Sequence, residues 1–213
     1  MYIIGTEKVP LNYANFYDCA CSGTAGTLIL VAQALAQRGH EVIILNQSVN
    51  GVFKNIKHFK ILSDQECMST IQELGEVDVF IANRFSAKIF LSHRILAKCR
   101  VYWLHNFIDI NPYIKAIDEK RLDYICCVSQ AHLEAFWRCQ RYERFFFVHN
   151  PICAQELHKI AIPDARDKKV MFVGAPRQNK GFHDVLRLFS AFHKKHPDYN
   201  IICCWGGESS PYG

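Results

Sequence analysis

The residues able to do chemistry fall at the ends of apolar runs. In "SGTAGTLILVAQALAQRGHEVIIL" (22–45), Ser22, Gly23 and Thr24 precede an apolar helical stretch expected to begin near Gly26. A turn there presents backbone N–H groups and the positive end of the helix dipole, and the absent Cβ of Gly23 leaves room for a phosphate. The same small residues would serve equally well as a tight strand-to-helix connection. "VMFVG" (170–174) runs through Gly174 into "APRQNKG" and another helical stretch, which adds Arg177 and Lys180. Those cations can neutralise phosphate charge. Asn83 and Arg84 end one β-branched run, where lining a cleft and simple solvation stay equally open. His105 ends another, as a structural strand-end histidine or as a site residue.

These positions need a scaffold that puts strand ends on one edge. Apolar runs at Tyr2–Ile4, Val42–Leu45, His58–Leu62, Val77–Ala82, Val101–Leu104, Tyr124–Val128 and Phe145–His149 are expected to be strands. Between them the spacing predicts helices at Gly26–Arg38, Asp64–Leu74, Ala87–Lys98, Gln130–Arg138 and a short one near Pro112–Ile117. Ser63, Ser86 and Ser129 stand where helix N-caps belong. Near-continuous apolar strands alternating with helices mean an α/β protein, a parallel Rossmann-like sheet with helices on both faces. Ligands then bind beyond the carboxyl ends of the strands. The segment Asn150–Lys169 interrupts the pattern, which restarts at 170. We therefore expect one domain over 1–165 and the start of a second, incomplete within this sequence, over 166–213.

Composition narrows the classes. The chain has 213 residues, of which 50% are hydrophobic, and a formal charge of +5 with no concentrated basic run. Disorder and nucleic-acid binding are both disfavoured. The uncharged window from Cys19 to Gln37 is long enough to span a bilayer, but its polar residues and helical spacing mark a packing helix, so no transmembrane segment is expected. A peripheral membrane contact stays open. Ten cysteines include no C-x-x-C pair. Cys126, Cys127, Cys203 and Cys204 lie inside apolar runs and are expected to be buried and unpaired. Cys19 and Cys21 alone do not make a metal site, so no metal is expected. Reduced thiols without a secretory signal suggest the cytoplasm.

Five pieces in order resemble the retaining glycosyltransferases of family 4, with their GT-B fold. They are Ser22-Gly23 with "LAQRGHEV" (35–42), "VYWLHN" ending in His105-Asn106, "CVSQAHLEAF" (127–136), "VHNPI" (148–152), and the segment from "VMFVG" through "IICCWGG". The resemblance implies transfer of a sugar from a nucleotide-diphospho-sugar to a glycan or lipid-linked hydroxyl acceptor, without a bound metal or cofactor. It assigns Lys180 to the leaving diphosphate, Gly23 and Thr24 to phosphate contact through backbone N–H groups, and His105 to the donor sugar or acceptor. Arg177, Ser22, Asn83, Arg84 and Gly174 complete the expected site, converging on one concavity. Ala175 stands where the family has arginine, and the family's Glu-x7-Glu region has no counterpart before Gly213. The sequence is accordingly expected to be a piece that does not transfer sugar alone. A non-catalytic glycan- or protein-binding module, or a nucleotide-sugar epimerase, remain the alternatives.

Overall fold

The computed structural model describes residues 1–5, 23–47, 49–154, 158 and 167–204. Ser22, Cys19 and Cys21 lie outside them. The chain divides into two compact units, with the break between Ile152 and Cys153.

The first unit is built on an eight-stranded sheet. Its strands are β1 (Tyr2–Gly5), β2 (Val42–Asn46), β3 (Gly51–Phe53), β4 (Ile56–Lys60), β5 (Val79–Asn83), β6 (Cys99–Trp103), β7 (Tyr124–Cys127) and β8 (Phe145–Phe147). The order is β3-β4-β2-β1-β5-β6-β7-β8, and every pairing is parallel except β3 with β4. All seven expected strands are present with shifted ends. β3 is additional: Lys54 and Asn55, at φ 49° and 64°, make the two-residue turn that folds it back onto β4. Both central residues at positive φ match the twist of a hairpin.

Alternation along the strands sends side chains to two cores. Ile3, Ile43, Phe80, Ala82, Tyr102, Ile125 and Cys127 join one cluster. Its other members include Cys67 and Ile71 of α2 (Asp64–Leu74), Ile89 and Phe90 of α3 (Ile89–Ser92), and Tyr113 and Ile114 of α4 (Asn111–Asp118). Val101, Trp103 and Cys126 form the second cluster, with Val31 of α1 (Gly23–Gln37) packed against it. Helices therefore cover both faces, as parallel strands require. α1 buries Ala25, Gly26, Thr27, Leu28, Ile29 and Ala32, and of the stripe that the spacing marks Leu28, Ile29 and Ala32 are buried while Val31, Leu35 and Ala36 are half-buried.

Caps set the helix ends. Ser63 Oγ accepts Glu66 N–H at 3.1 Å, and Ser129 Oγ accepts His132 N–H at 3.1 Å at the start of α5 (Gln130–Glu134). Pro112 sits in the first turn of α4, where its missing N–H costs nothing. Three expectations are corrected. The helix expected over 87–98 is a 3₁₀ turn, Arg84–Lys88, followed by α3, which stops at His93. Beyond it the chain straightens, buries Ile95 in the core and donates Lys98 N–H to Val77 O at 3.0 Å. The helix expected to Arg138 ends at Glu134 and continues as turns. Ser86 is no N-cap. It accepts Asn83 N–H at 2.9 Å, and its hydroxyl lies 2.7 Å from Asn83 O and 3.1 Å from Gly5 O.

The second unit, among its described residues, pairs β9 (Lys169–Val173) with β10 (Asn200–Cys204) in parallel through α6 (Phe182–His193). These two strands form a sheet of their own. Phe172 meets Phe182 of α6 with ring centroids 5.4 Å apart. Met171 and Val173 face the other way and are exposed. One expectation is corrected here: Cys203 and Cys204 are only half-buried, Cys204 being in register with exposed Val173, whereas Cys126 and Cys127 are buried. All four thiols are free. Burial pushes Cys126 up to about 12 and Cys127 up to about 11, which makes them poor nucleophiles.

Candidate functional site

β5 and β6 are neighbours, with Asn83 in register with Trp103 at their carboxyl ends. The residues that follow those ends, Arg84 and His105, both line one cavity of about 260 Å³. Lys88, from the 3₁₀ turn after β5, lines it too, with Asn106, Ile108 and Asp109 from the segment after β6. Tyr102 and Tyr113 supply an aromatic wall, their ring centroids 4.4 Å apart. Both are core residues as well, so the wall is fixed by packing.

Arg84 holds φ at +46°, a left-handed conformation that a non-glycine residue adopts at a cost. Asp109 Oδ1 accepts Asn111 N–H at 3.1 Å at the head of α4. His105 is a half-buried imidazole, neutral at physiological pH. Burial first, then the positive charge of Arg84 and His132, pull its pKa down to about 4. Its Nε2 is buried without a hydrogen-bond partner among the described residues. The indole Nε1 of Trp103 is in the same state, its ring centroid 5.0 Å from that of His105. Two neighbouring unsatisfied ring nitrogens at a strand end are unusual in a folded interior. They offer hydrogen bonds to hydroxyl or carbonyl groups rather than a fixed positive charge.

Asn83, also expected in the site, is buried at the end of β5. Gly23 and Thr24 do not line the cavity. The structure starts α1 at Gly23, three residues before the expected Gly26, so both sit in the first helical turn. Their N–H groups precede any intrahelical acceptor. An added Cβ at Gly23 would meet open space, while Thr27 Oγ1 donates to Gly23 O at 2.8 Å.

In the second unit the residues after β9 form a tight loop. Gly174 sits at φ +151°, where a Cβ would come within 3.3 Å of the Phe172 ring. Arg177 N–H bonds to Ala175 O at 2.7 Å, and Lys180 N–H to Arg177 O at 3.0 Å. Gly181, at φ +73°, lets the chain turn into α6. The side chains of Arg177 and Lys180 are exposed on this loop. Lys88, Tyr102, Asp109 and Tyr113 are site residues that sequence reasoning misses. Tyr102, the next-to-last residue of a strand leading into His105, is the one signal that could have pointed to them.

The histidines make stability depend on pH. His58, in β4, is buried outright, and burial lowers it to about 4 as well. Between pH 6.5 and 4 the unfolded chain binds protons at His58 and His105 that the folded chain refuses. Stability therefore falls as pH falls through this window. Urea midpoints measured from pH 7 to pH 4 should show the decline. His105→Gln should flatten it by up to about 1 kcal/mol per pH unit, and an unchanged slope would contradict the burial of this imidazole.

No family model matches the chain, nor does any curated protein sequence. Solved structures do. A glycosyltransferase from Rickettsia africae ESF-5 aligns over 95% of this chain and 68% of its own, with 15% identity and a TM-score of 0.53. WaaG, a glycosyltransferase involved in lipopolysaccharide biosynthesis, aligns over 95% of this chain and 70% of its own, with 11% identity and a TM-score of 0.55. No helix among the described residues is long and apolar enough to cross a membrane. The likeness speaks to architecture: this chain has the α/β, GT-B-type fold that its sequence motifs resemble.

Proposed function

We propose that the chain belongs to a glycosyltransferase that moves a sugar, with retention, from a nucleotide-diphospho-sugar to a hydroxyl acceptor. The observation that carries this reading is the cavity at the carboxyl ends of β5 and β6, where His105 presents a buried, unsatisfied Nε2 beside Arg84. The fold shared with two glycosyltransferases and the ordered sequence pieces support it. In this proposal the cavity holds the acceptor sugar, and neutral His105 bonds a hydroxyl near the reacting carbon. Lys180 and Arg177 stabilise the departing diphosphate as charge builds on its oxygens and the sugar gains oxocarbenium character. Gly23 and Thr24 contribute first-turn N–H groups to phosphate oxygens.

The test is a thermal-shift screen of nucleoside diphosphates and nucleotide sugars, followed by transfer assays with labelled donors of the hits. We expect at least one nucleotide to raise the melting midpoint and one donor to be turned over when acceptors are added. A chain that binds glycans but no nucleotide would be the binding module instead. Isotope exchange from a nucleotide sugar without acceptor would favour the epimerase.

A further inference from the structure

We propose that the cavity beside β5 and β6 selects an acceptor sugar carrying an anionic substituent, held by Arg84 and Lys88 with the sugar ring against Tyr102 and Tyr113. The word acceptor rests on the glycosyltransferase reading; the anionic sugar site does not.

Charge, backbone geometry, size and wall chemistry carry it. Among the described lining residues are two permanent cations, Arg84 and Lys88, and one carboxylate, Asp109. A concave, partly desolvated wall with that balance concentrates anions. One oxygen of Asp109 already accepts the Asn111 N–H, and the other can take a sugar hydroxyl. The site thus has a basic pole and a hydroxyl-binding pole. Arg84, a lining residue, is held at φ +46° at the strand end, so the backbone bears strain at the cavity's edge. Strain of this kind persists where the surroundings impose it, and it gathers at ligand clamps.

Size and wall chemistry point to a single anionic sugar. About 260 Å³ lies below the roughly 300–1,000 Å³ of sites for drug-sized ligands. One monosaccharide with a phosphate or carboxylate suits it, and a whole nucleotide sugar does not. The buried tyrosine pair gives a rigid aromatic surface for the apolar face of a sugar ring. His105, neutral at physiological pH, then bonds a ring hydroxyl without competing for the anion. The exposed cations Arg177 and Lys180 stand on a separate loop, available to a diphosphate.

The experiment is calorimetric titration of the whole chain at low ionic strength with four probes: a hexose, the same hexose 6-phosphate, the corresponding uronate, and a nucleoside diphosphate. We expect the two anionic sugars to bind at least tenfold tighter than the hexose, with the advantage shrinking as salt rises. Arg84→Gln should remove most of that advantage, Lys88→Gln part of it, and Arg84→Lys should restore it. Melting midpoints of the variants check that each is folded. Equal binding of hexose and hexose phosphate overturns the proposal, and so does indifference to both substitutions in folded protein. Competition between nucleoside diphosphate and hexose phosphate, with Arg84→Gln weakening both alike, would give the cavity to the donor and overturn it too. If no nucleotide sugar is turned over, the transferase reading fails while these binding differences stand. A working transferase that uses only neutral acceptors sinks this proposal alone.

Discussion

Asp123→Ala should lower the free energy of unfolding by about 3 kcal/mol or more, read as a drop in the urea midpoint at unchanged slope. Arg100, in β6, is almost fully buried, and Asp123 immediately precedes β7. The carboxylate accepts the Arg100 backbone N–H at 2.8 Å, Nε at 2.7 Å and Nη2 at 2.9 Å. In return Asp123 N–H donates to Arg100 O at 3.0 Å. Removing the acid leaves a guanidinium inside the protein with no counter-charge, and that penalty is far larger than the loss of a surface pair. Asp123 keeps some contact with solvent, which places the cost at the lower end of the roughly 3–5 kcal/mol range for buried pairs. Arg100→Met combined with Asp123→Ala should recover much of the loss, because no orphan charge remains. A cost under 1 kcal/mol for the single change would mean the pair behaves as a surface one.

Lys180→Ala should reduce transfer turnover by roughly 10²-fold, about 2–4 kcal/mol, in any preparation of this protein that moves sugar from a nucleotide donor. The ammonium is exposed on the loop between β9 and α6 and is held in no ion pair among the described residues. It is therefore available to a phosphate whose charge increases as the glycosidic bond breaks. A contact that strengthens in the transition state affects kcat, so KM for the donor should change less. Lys180→Arg should retain part of the rate. Turnover equal to the parent's would remove Lys180 from the proposed mechanism.

Sheet and helix order are legible in the sequence because buried parallel strands read as unbroken apolar runs. Val42–Asn46, buried at every position, is the clearest case. β3 escapes notice because its hairpin turns on Lys54-Asn55 rather than a glycine-containing pair. The segment 93–98 reads as helix because its composition suits one, yet Ile95 must reach the core and Lys98 must meet the sheet. Tertiary packing decides there. Arg84 and His105 are legible in the site because strand ends are functional edges in this kind of fold. Tyr102 and Tyr113 are not, since apolar spacing assigns them to the interior and cannot show that the interior continues into a cavity wall. Lys88 depends on a 3₁₀ turn that sequence pattern mistakes for open helix.

Ser86 has a consequence for how the site chooses its ligand. One hydroxyl lies within bonding reach of the ends of β1 and β5, at Gly5 and Asn83. Arg84 follows Asn83 directly, so this lining residue stands on a backbone anchored to the middle of the sheet. A support of this kind does not adapt to its guest. In the proposed site the position of Arg84 is therefore set before any ligand arrives, and this rim of the cavity works as a gauge, not a glove.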